Sequence, residues 1–323
     1  GYVDLRKEFL KLTGPIPIPP LFTFGFGNSR YSALSDQELL GIVDRYRTEN
    51  YPLDLLVVDT DWRVGEYGIN RQYFPNMSNF VTQVHKRNVK LMFNDHPQGA
   101  TGIAPADLEK RWAGLTSLLA MGIDAWWYDR NWVGIFPGPL DGIDRDVWGQ
   151  RMYADIHARF RPGERPITFS MRSGQDPAFR PSNNWVHTVI CPHPASHRYP
   201  LYWTGDIESS FSSLKNQIPI TIEDGYSFLP YVQQDSPGHW GADQGDELYA
   251  RWLQWACLSP GARVHGDNSE SRRLPWLFAG ETQDIVRSYI HLRYRLLPMI
   301  YTAARRAHED GTPLLRRLDF EFH

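Results

Sequence analysis

Two short segments carry side chains whose type and spacing suit bond-breaking chemistry. One runs Gly122-Ile123-Asp124-Ala125-Trp126-Trp127-Tyr128-Asp129, the other Tyr202-Trp203-Thr204-Gly205-Asp206. In each, a strand-like apolar run stops at a carboxylate next to tryptophan. Cleavage of a glycosidic bond needs two such carboxylates, one to attack or stabilise the sugar cation and one to protonate the leaving oxygen. The indole rings offer apolar faces on which a sugar can lie.

Other polar residues fall at corresponding places along the chain. Apolar runs end at Asp59 and Asp61, at Asn94, Asp95 and His96, at Asp129, at Arg172, at Asp206, at Asp235 and at His265. A single strand ending in Asp means little, because Asp favours turns. Seven strand ends of this kind form a pattern that an active site explains and turn preference does not.

Positioning such a set takes a repeating scaffold. The chain alternates apolar runs with amphipathic stretches. The predicted strands are Leu21–Phe26, Asp54–Asp59, Val89–Asn94, Ala125–Asp129, Pro166–Ser170, Pro200–Asp206, Ser227–Gln234 and Ala262–His265. Helices are predicted over Ser35–Glu49, Asn79–Arg87, Pro105–Met121, Arg145–Phe160, Glu208–Gln217, Glu247–Leu258 and Thr282–His308. Eight nearly continuous apolar strands with intervening helices describe an α/β protein, a (β/α)8 TIM barrel, whose chemistry gathers at the C-terminal strand ends. Long loops follow strand two (residues 60–78) and strand five (residues 171–199), and loops of that length usually carry function.

Bulk properties narrow the classes. At 323 residues the chain can bury a large core. A net charge of -3 without a basic run gives no footprint for nucleic acid, and no apolar run approaches the roughly 18 residues of a membrane helix. Twelve Trp, 16 Tyr and 16 Phe suit a sugar cleft or simply an aromatic core. Cys191 and Cys257 make neither a disulfide framework nor a zinc motif, so the compartment stays open. Cys191, His193 and His197 fit a solvated turn better than a metal cluster. Trp62 and Trp240 suit either stacking on sugar or packing. Asp124 reads as structural. The first residue is Gly1, so the chain reads as a processed product or an excised domain.

These motifs resemble the catalytic barrel of glycoside hydrolase family 31, the α-glucosidase and α-xylosidase family, across essentially the whole chain. The segment Trp127-Tyr128-Asp129-Arg130-Asn131 is similar to the family's nucleophile segment. Trp203-Thr204-Gly205-Asp206 is similar to its acid/base segment. Ser170-Met171-Arg172-Ser173, Asp59-Thr60-Asp61-Trp62 and Arg263-Val264-His265 resemble its sugar-binding motifs, and Asp235-Ser236-Pro237-Gly238-His239-Trp240 loosely resembles another. The resemblance implies a retaining, exo-acting α-glycosidase. Asp129 would be the nucleophile and Asp206 the proton donor. Asp59, Asp61, Asp95, Trp127, Arg172, Trp203, Asp235 and His265 would bind substrate. It implies no metal and no cofactor. The partners it implies are an oligosaccharide or glycoside substrate and flanking β-sandwich domains of a longer chain, residues 1–323 forming one catalytic barrel.

The chain departs from the family pattern around the non-reducing sugar. Arg130 and Trp132 replace Met and Glu, Asn94-Asp95-His96-Pro97-Gln98 replaces Asp-Pro-Ala-Ile, and residues 174–199 are inserted. These changes open the choice between an α-glucoside and an α-galactoside or α-N-acetylgalactosaminide. A non-catalytic carbohydrate-binding relative, or a lyase or transglycosylase using the same nucleophile, remain the alternatives.

Overall fold

The computed structural model describes residues 1–97, 104–129, 145–171, 193–243, 245–268 and 272–322. Eight parallel strands make the central sheet: β1 (Phe26–Asn28), β2 (Leu55–Val58), β3 (Lys90–Asp95), β4 (Ala125–Tyr128), β5 (Thr168–Met171), β6 (Tyr202–Trp203), β7 in two pieces (Val232–Gln233 and Ser236–Pro237) and β8 (Ala262–His265). Neighbours in sequence are neighbours in space from β1 to β6. The first piece of β7 pairs with β6, Tyr202 opposite Val232. The second piece pairs with β8, Ser236 opposite Val264, and β8 returns to β1, Phe26 opposite Ala262. The ring is therefore closed through the interrupted strand, as in a (β/α)8 barrel.

Eight helices accompany the described strands: α1 (Tyr2–Thr13), α2 (Asp36–Thr48), α3 (Met77–Lys86), α4 (Pro105–Met121), α5 (Arg145–Phe160), α6 (Phe211–Tyr226), α7 (Asp246–Leu258) and α8 (Gly280–Asp310). Helix α2 starts where a capping box forms, with Glu38 N–H donating to Ser35 Oγ at 3.3 Å and Ser35 N–H donating to Glu38 Oε2 at 2.7 Å. Among the described residues, no helix is long and apolar enough to cross a membrane.

Strand residues alternate between two cores. Leu55, Val57, Met92, Ala125, Trp127, Phe169 and Trp203 pack in one cluster inside the ring. Leu56, Val58, Leu91, Phe93, Trp126 and Tyr128 pack outward against the surrounding helices. Both faces are buried, which is why the strands read as unbroken apolar runs. The period of two decides which side chain at each strand end faces the barrel mouth.

Three expected elements differ. Leu21–Phe24 is a 3-10 turn, and β1 begins only at Phe26. Pro20 starts that turn, its carbonyl accepting from Thr23 N–H at 3.1 Å. The predicted strand over 227–234 is instead the two short pieces of β7. The sixth helix spans Phe211–Tyr226, because Ser210 caps it by accepting from Ser213 N–H at 3.1 Å. Helix α1 was not foreseen at all.

Candidate active site

At the C-terminal end of the barrel lies a cavity of about 490 Å3. Its floor is Trp127, which projects inward from β4. The ring meets Trp203 edge-on at 5.0 Å and Phe169 at 5.4 Å. The Arg263 guanidinium lies 4.5 Å from the Trp127 ring centre. It also donates to Ser29 Oγ at 2.7 Å and to Asp235 Oδ1 at 2.5 Å. Beneath the cavity, then, a buried cation is held by a ring face, a hydroxyl and a carboxylate.

Asp129 sits one residue beyond β4. Its Oδ2 lies 2.9 Å from His96 Nε2 and accepts from Asn94 Nδ2 at 3.1 Å. Burial alone would lower the pKa of His96, but the hydrogen bond and charge of Asp129, with that of Asp59, outweigh it and raise the imidazole above its usual value. The same Asn94 amide donates to Asp59 Oδ1 at 2.9 Å. Burial, and then the charge of Asp129, push the Asp59 carboxyl up to about 7.

Asp206 follows Gly205, whose φ of 99° turns the chain into the mouth. Its side chain is 51% exposed to the opening. The walls nevertheless strip away enough water to raise its carboxyl, and the charge of Asp129 adds to that while His239 opposes it. A carboxyl at the rim of a concavity is both accessible and poorly hydrated. Trp240 Nε1–H donates to the Asp206 carbonyl at 3.2 Å, and His239 N–H to the Ile207 carbonyl at 2.7 Å. The loops after β6 and β7 are thereby stapled together. Gly238 permits this approach: its φ is 144°, and a Cβ there would lie 2.4 Å from Ser209 Cα.

The cavity wall gathers Asp59, Trp127, Asp129, Asp206 and His265 from the expected set, with Tyr31, Thr60, Arg63, Gly65, His96 and His239 beside them. Asp95, Asp235 and Trp203 are buried behind that wall. Asp95 faces outward, held by Arg63 and by Tyr153 of α5; one strand position earlier, Asn94 faces the cavity. Asp61 is partly buried off the wall, and its carbonyl accepts from Asn70 Nδ2 at 3.2 Å. Trp62 is fully buried, while Trp240 is 45% exposed near the mouth. Arg172, Arg130, Asn131, Trp132, Gln98 and Cys191 lie outside the described residues. Asp124 lies at the other end of β4, bonded to His85 at 2.7 Å, Lys90 at 2.8 Å and Leu91 N–H at 2.9 Å.

Asn94 and His239, like His96, stand in segments the sequence marks but outside the expected substrate-binding set. The first was detectable from parity, since it shares a face with Met92. The second stands in the motif that matched most loosely.

Residues 16–107 and 103–303 match the TIM-barrel domain of the glycosyl hydrolases family 31. The chain belongs to glycoside hydrolase family 31. Among family 31 relatives, an α-xylosidase of Saccharolobus solfataricus is 29% identical over 360 residues, covering 99% of this chain and 47% of that protein. Alpha-glucosidase 2 of Bacillus thermoamyloliquefaciens is 24% identical, covering 99% and 46%. The chain thus spans about half the length of the curated relatives it matches. In fold it is similar to a family 31 α-xylosidase from a soil metagenome crystallised with xylose, with a TM-score of 0.84, 17% identity, and coverage of 99% of this chain and 55% of that one.

Proposed function

We propose that this family 31 barrel is the catalytic part of a retaining, exo-acting α-glycosidase that hydrolyses terminal α-linked sugars. One observation carries the reading: Asp129 and Asp206, from neighbouring parts of the ring, face one cavity in opposite surroundings. Asp129 is paired with an imidazole whose pKa is raised and with a fixed amide donor, which suits a nucleophile. Asp206 has its carboxyl raised, which suits a group that must hold a proton.

In the first step an Asp129 oxygen bonds to the anomeric carbon. The glycosidic C–O bond breaks, and Asp206 transfers its proton to the departing oxygen. In the second step Asp206 takes a proton from water, whose oxygen attacks the anomeric carbon and releases Asp129. Two displacements on opposite faces return the α-configuration. Trp127 supplies an apolar floor. Asp59, with its raised carboxyl, and His265 offer polar contacts to hydroxyls. Burial, then Arg263, hold His265 well below its usual pKa, so it meets the sugar as a neutral imidazole.

The curated relatives include both an α-xylosidase and an α-glucosidase, and the departures at positions 94–98 add galacto-configured sugars. Initial rates on nitrophenyl α-glucoside, α-xyloside, α-galactoside and α-N-acetylgalactosaminide decide among them. We expect release from one of the four, abolished in Asp129→Asn. A variant that keeps near-full activity would refute the reading.

A further inference from the structure

At the catalytic wall and just behind it, three side chains from three strand ends converge on one point. Asp235 follows the first piece of β7, His239 follows its second piece, and His265 ends β8. His239 Nδ1 lies 3.0 Å from His265 Nε2 and 3.7 Å from Asp235 Oδ2. All three donor atoms lie within 4.8 Å of one another. A tetrahedral ion with bonds of about 2.0–2.1 Å holds its ligand atoms about 3.3–3.4 Å apart, between the two observed spacings.

Two of the three residues are already held from their far sides. His265 Nδ1 lies 2.6 Å from Ser29 Oγ, which accepts from Arg263. Asp235 Oδ1 accepts from Arg263 Nη2. These contacts fix His265 and Asp235 with their other donor atoms turned towards His239, as outer contacts do around metal ligands. A proton shared between the two imidazoles would satisfy both facing nitrogens. It would leave Asp235 Oδ2, which is fully buried and has no hydrogen-bond partner among the described residues. Buried carboxylate oxygens are rarely left so. A cation satisfies all three atoms at once.

We propose that Asp235, His239 and His265 bind one divalent transition-metal ion of the zinc or cobalt type, entering through the cavity that His239 and His265 line. Two imidazoles and one carboxylate favour such ions over calcium or magnesium. Asp206 supplies the fourth ligand: its Oδ1 is 3.9 Å from His239 Nδ1, and its exposed side chain is free to close that distance. Bound there, Asp206 no longer carries a proton to the leaving oxygen, so the ion inhibits hydrolysis. That consequence rests on the glycosidase reading; binding of the ion does not.

The test is a titration of chelator-treated protein with Co2+, followed by visible absorption. One equivalent should bind with the intense bands of four-coordinate cobalt. His239→Phe, checked for an unchanged melting temperature, should weaken binding by about 100-fold or more, since even outer-contact changes cost 10–100-fold. Asp206→Asn should alter the bands. A double variant Cys191→Ser/His193→Ala should bind as the parent does. The inference is overturned if the parent binds no cobalt, if His239→Phe binds it equally well, or if the double variant is the one that loses it. Should all four nitrophenyl glycosides prove inert, the titration still reports on the ion.

Discussion

Asn94 is the residue on which two inward carboxylates, Asp59 and Asp129, depend. A single amide donates to both Asp59 and Asp129, setting their spacing and giving each an uncharged donor. Replacing it with Ala leaves two carboxylates facing one another across a low-dielectric gap. The expected result is a loss of activity of about 10²-fold, measured as kcat/KM on the preferred glycoside. Asp206 makes a separate prediction. Its raised carboxyl must be protonated for the first step, so activity is present below that raised pKa and falls as pH climbs through it. The alkaline limb of the rate profile should therefore lie above the ordinary carboxylate range. Asp206→Asn should abolish that limb and cut the rate by about 10²–10⁴-fold on substrates with poor leaving groups, and less on activated ones, which need no proton.

At the scale of elements, the loop after β7 and the far end of β4 bear most of the consequences. Gly238→Ala places a methyl group against the Ser209 backbone in a left-handed conformation. The stapled loops must part, moving His239 and Asp206 together. We expect a cost of about 1–3 kcal/mol and a larger fractional loss of activity than of stability, read by denaturant unfolding beside kinetics. At the opposite end, burial of Asp124 works against its ionisation, but hydrogen bonds from His85, Lys90 and Leu91 outweigh it and hold its carboxyl below the usual range. The stability this gives is present above the unfolded-state pKa and lost as pH falls through the folded one. Asp124→Asn should be less stable by about 1–3 kcal/mol at neutral pH, and the gap should close in acid.

The elements also show what the sequence could reveal. Asp129 and Asp206 were visible because each ends an apolar run beside Trp, and both reach the cavity. The barrel was visible because its strands are apolar on both faces. In the sequence a charge stands out more than an amide, which favours Asp95 over Asn94. Strand parity, which follows from Met92 facing inward, sends Asp95 to Arg63 and Tyr153 instead. The 3-10 turn at Leu21–Phe24 has a strand's composition, and only the Pro20 carbonyl and the short-range bonds it collects distinguish it. The two-piece β7 was invisible, because its break follows from pairing with two different neighbours.

At the scale of the whole molecule, the closed ring depends on α8. Arg293 is fully buried and donates to the carbonyls of Phe24, Gly25, Cys257, Ser259 and Pro260. It thereby joins the entry of β1 to the entry of β8. Arg293→Met should destabilise the chain by about 3–5 kcal/mol, seen as a lower melting temperature with little change in the pH profile of any surviving activity. We further propose that residues 1–323 are the barrel of a longer protein whose flanking β-sandwich domains complete the substrate's surroundings.

The central claim is that Asp129 forms a bond to the sugar. The most direct measurement is mass spectrometry of the protein quenched during turnover of a deactivated α-glycosyl fluoride of the preferred sugar. The account predicts one added glycosyl group, located on the peptide that contains Asp129 and missing in Asp129→Asn. A glycosyl group on a different residue, or one that persists in the variant, would contradict it.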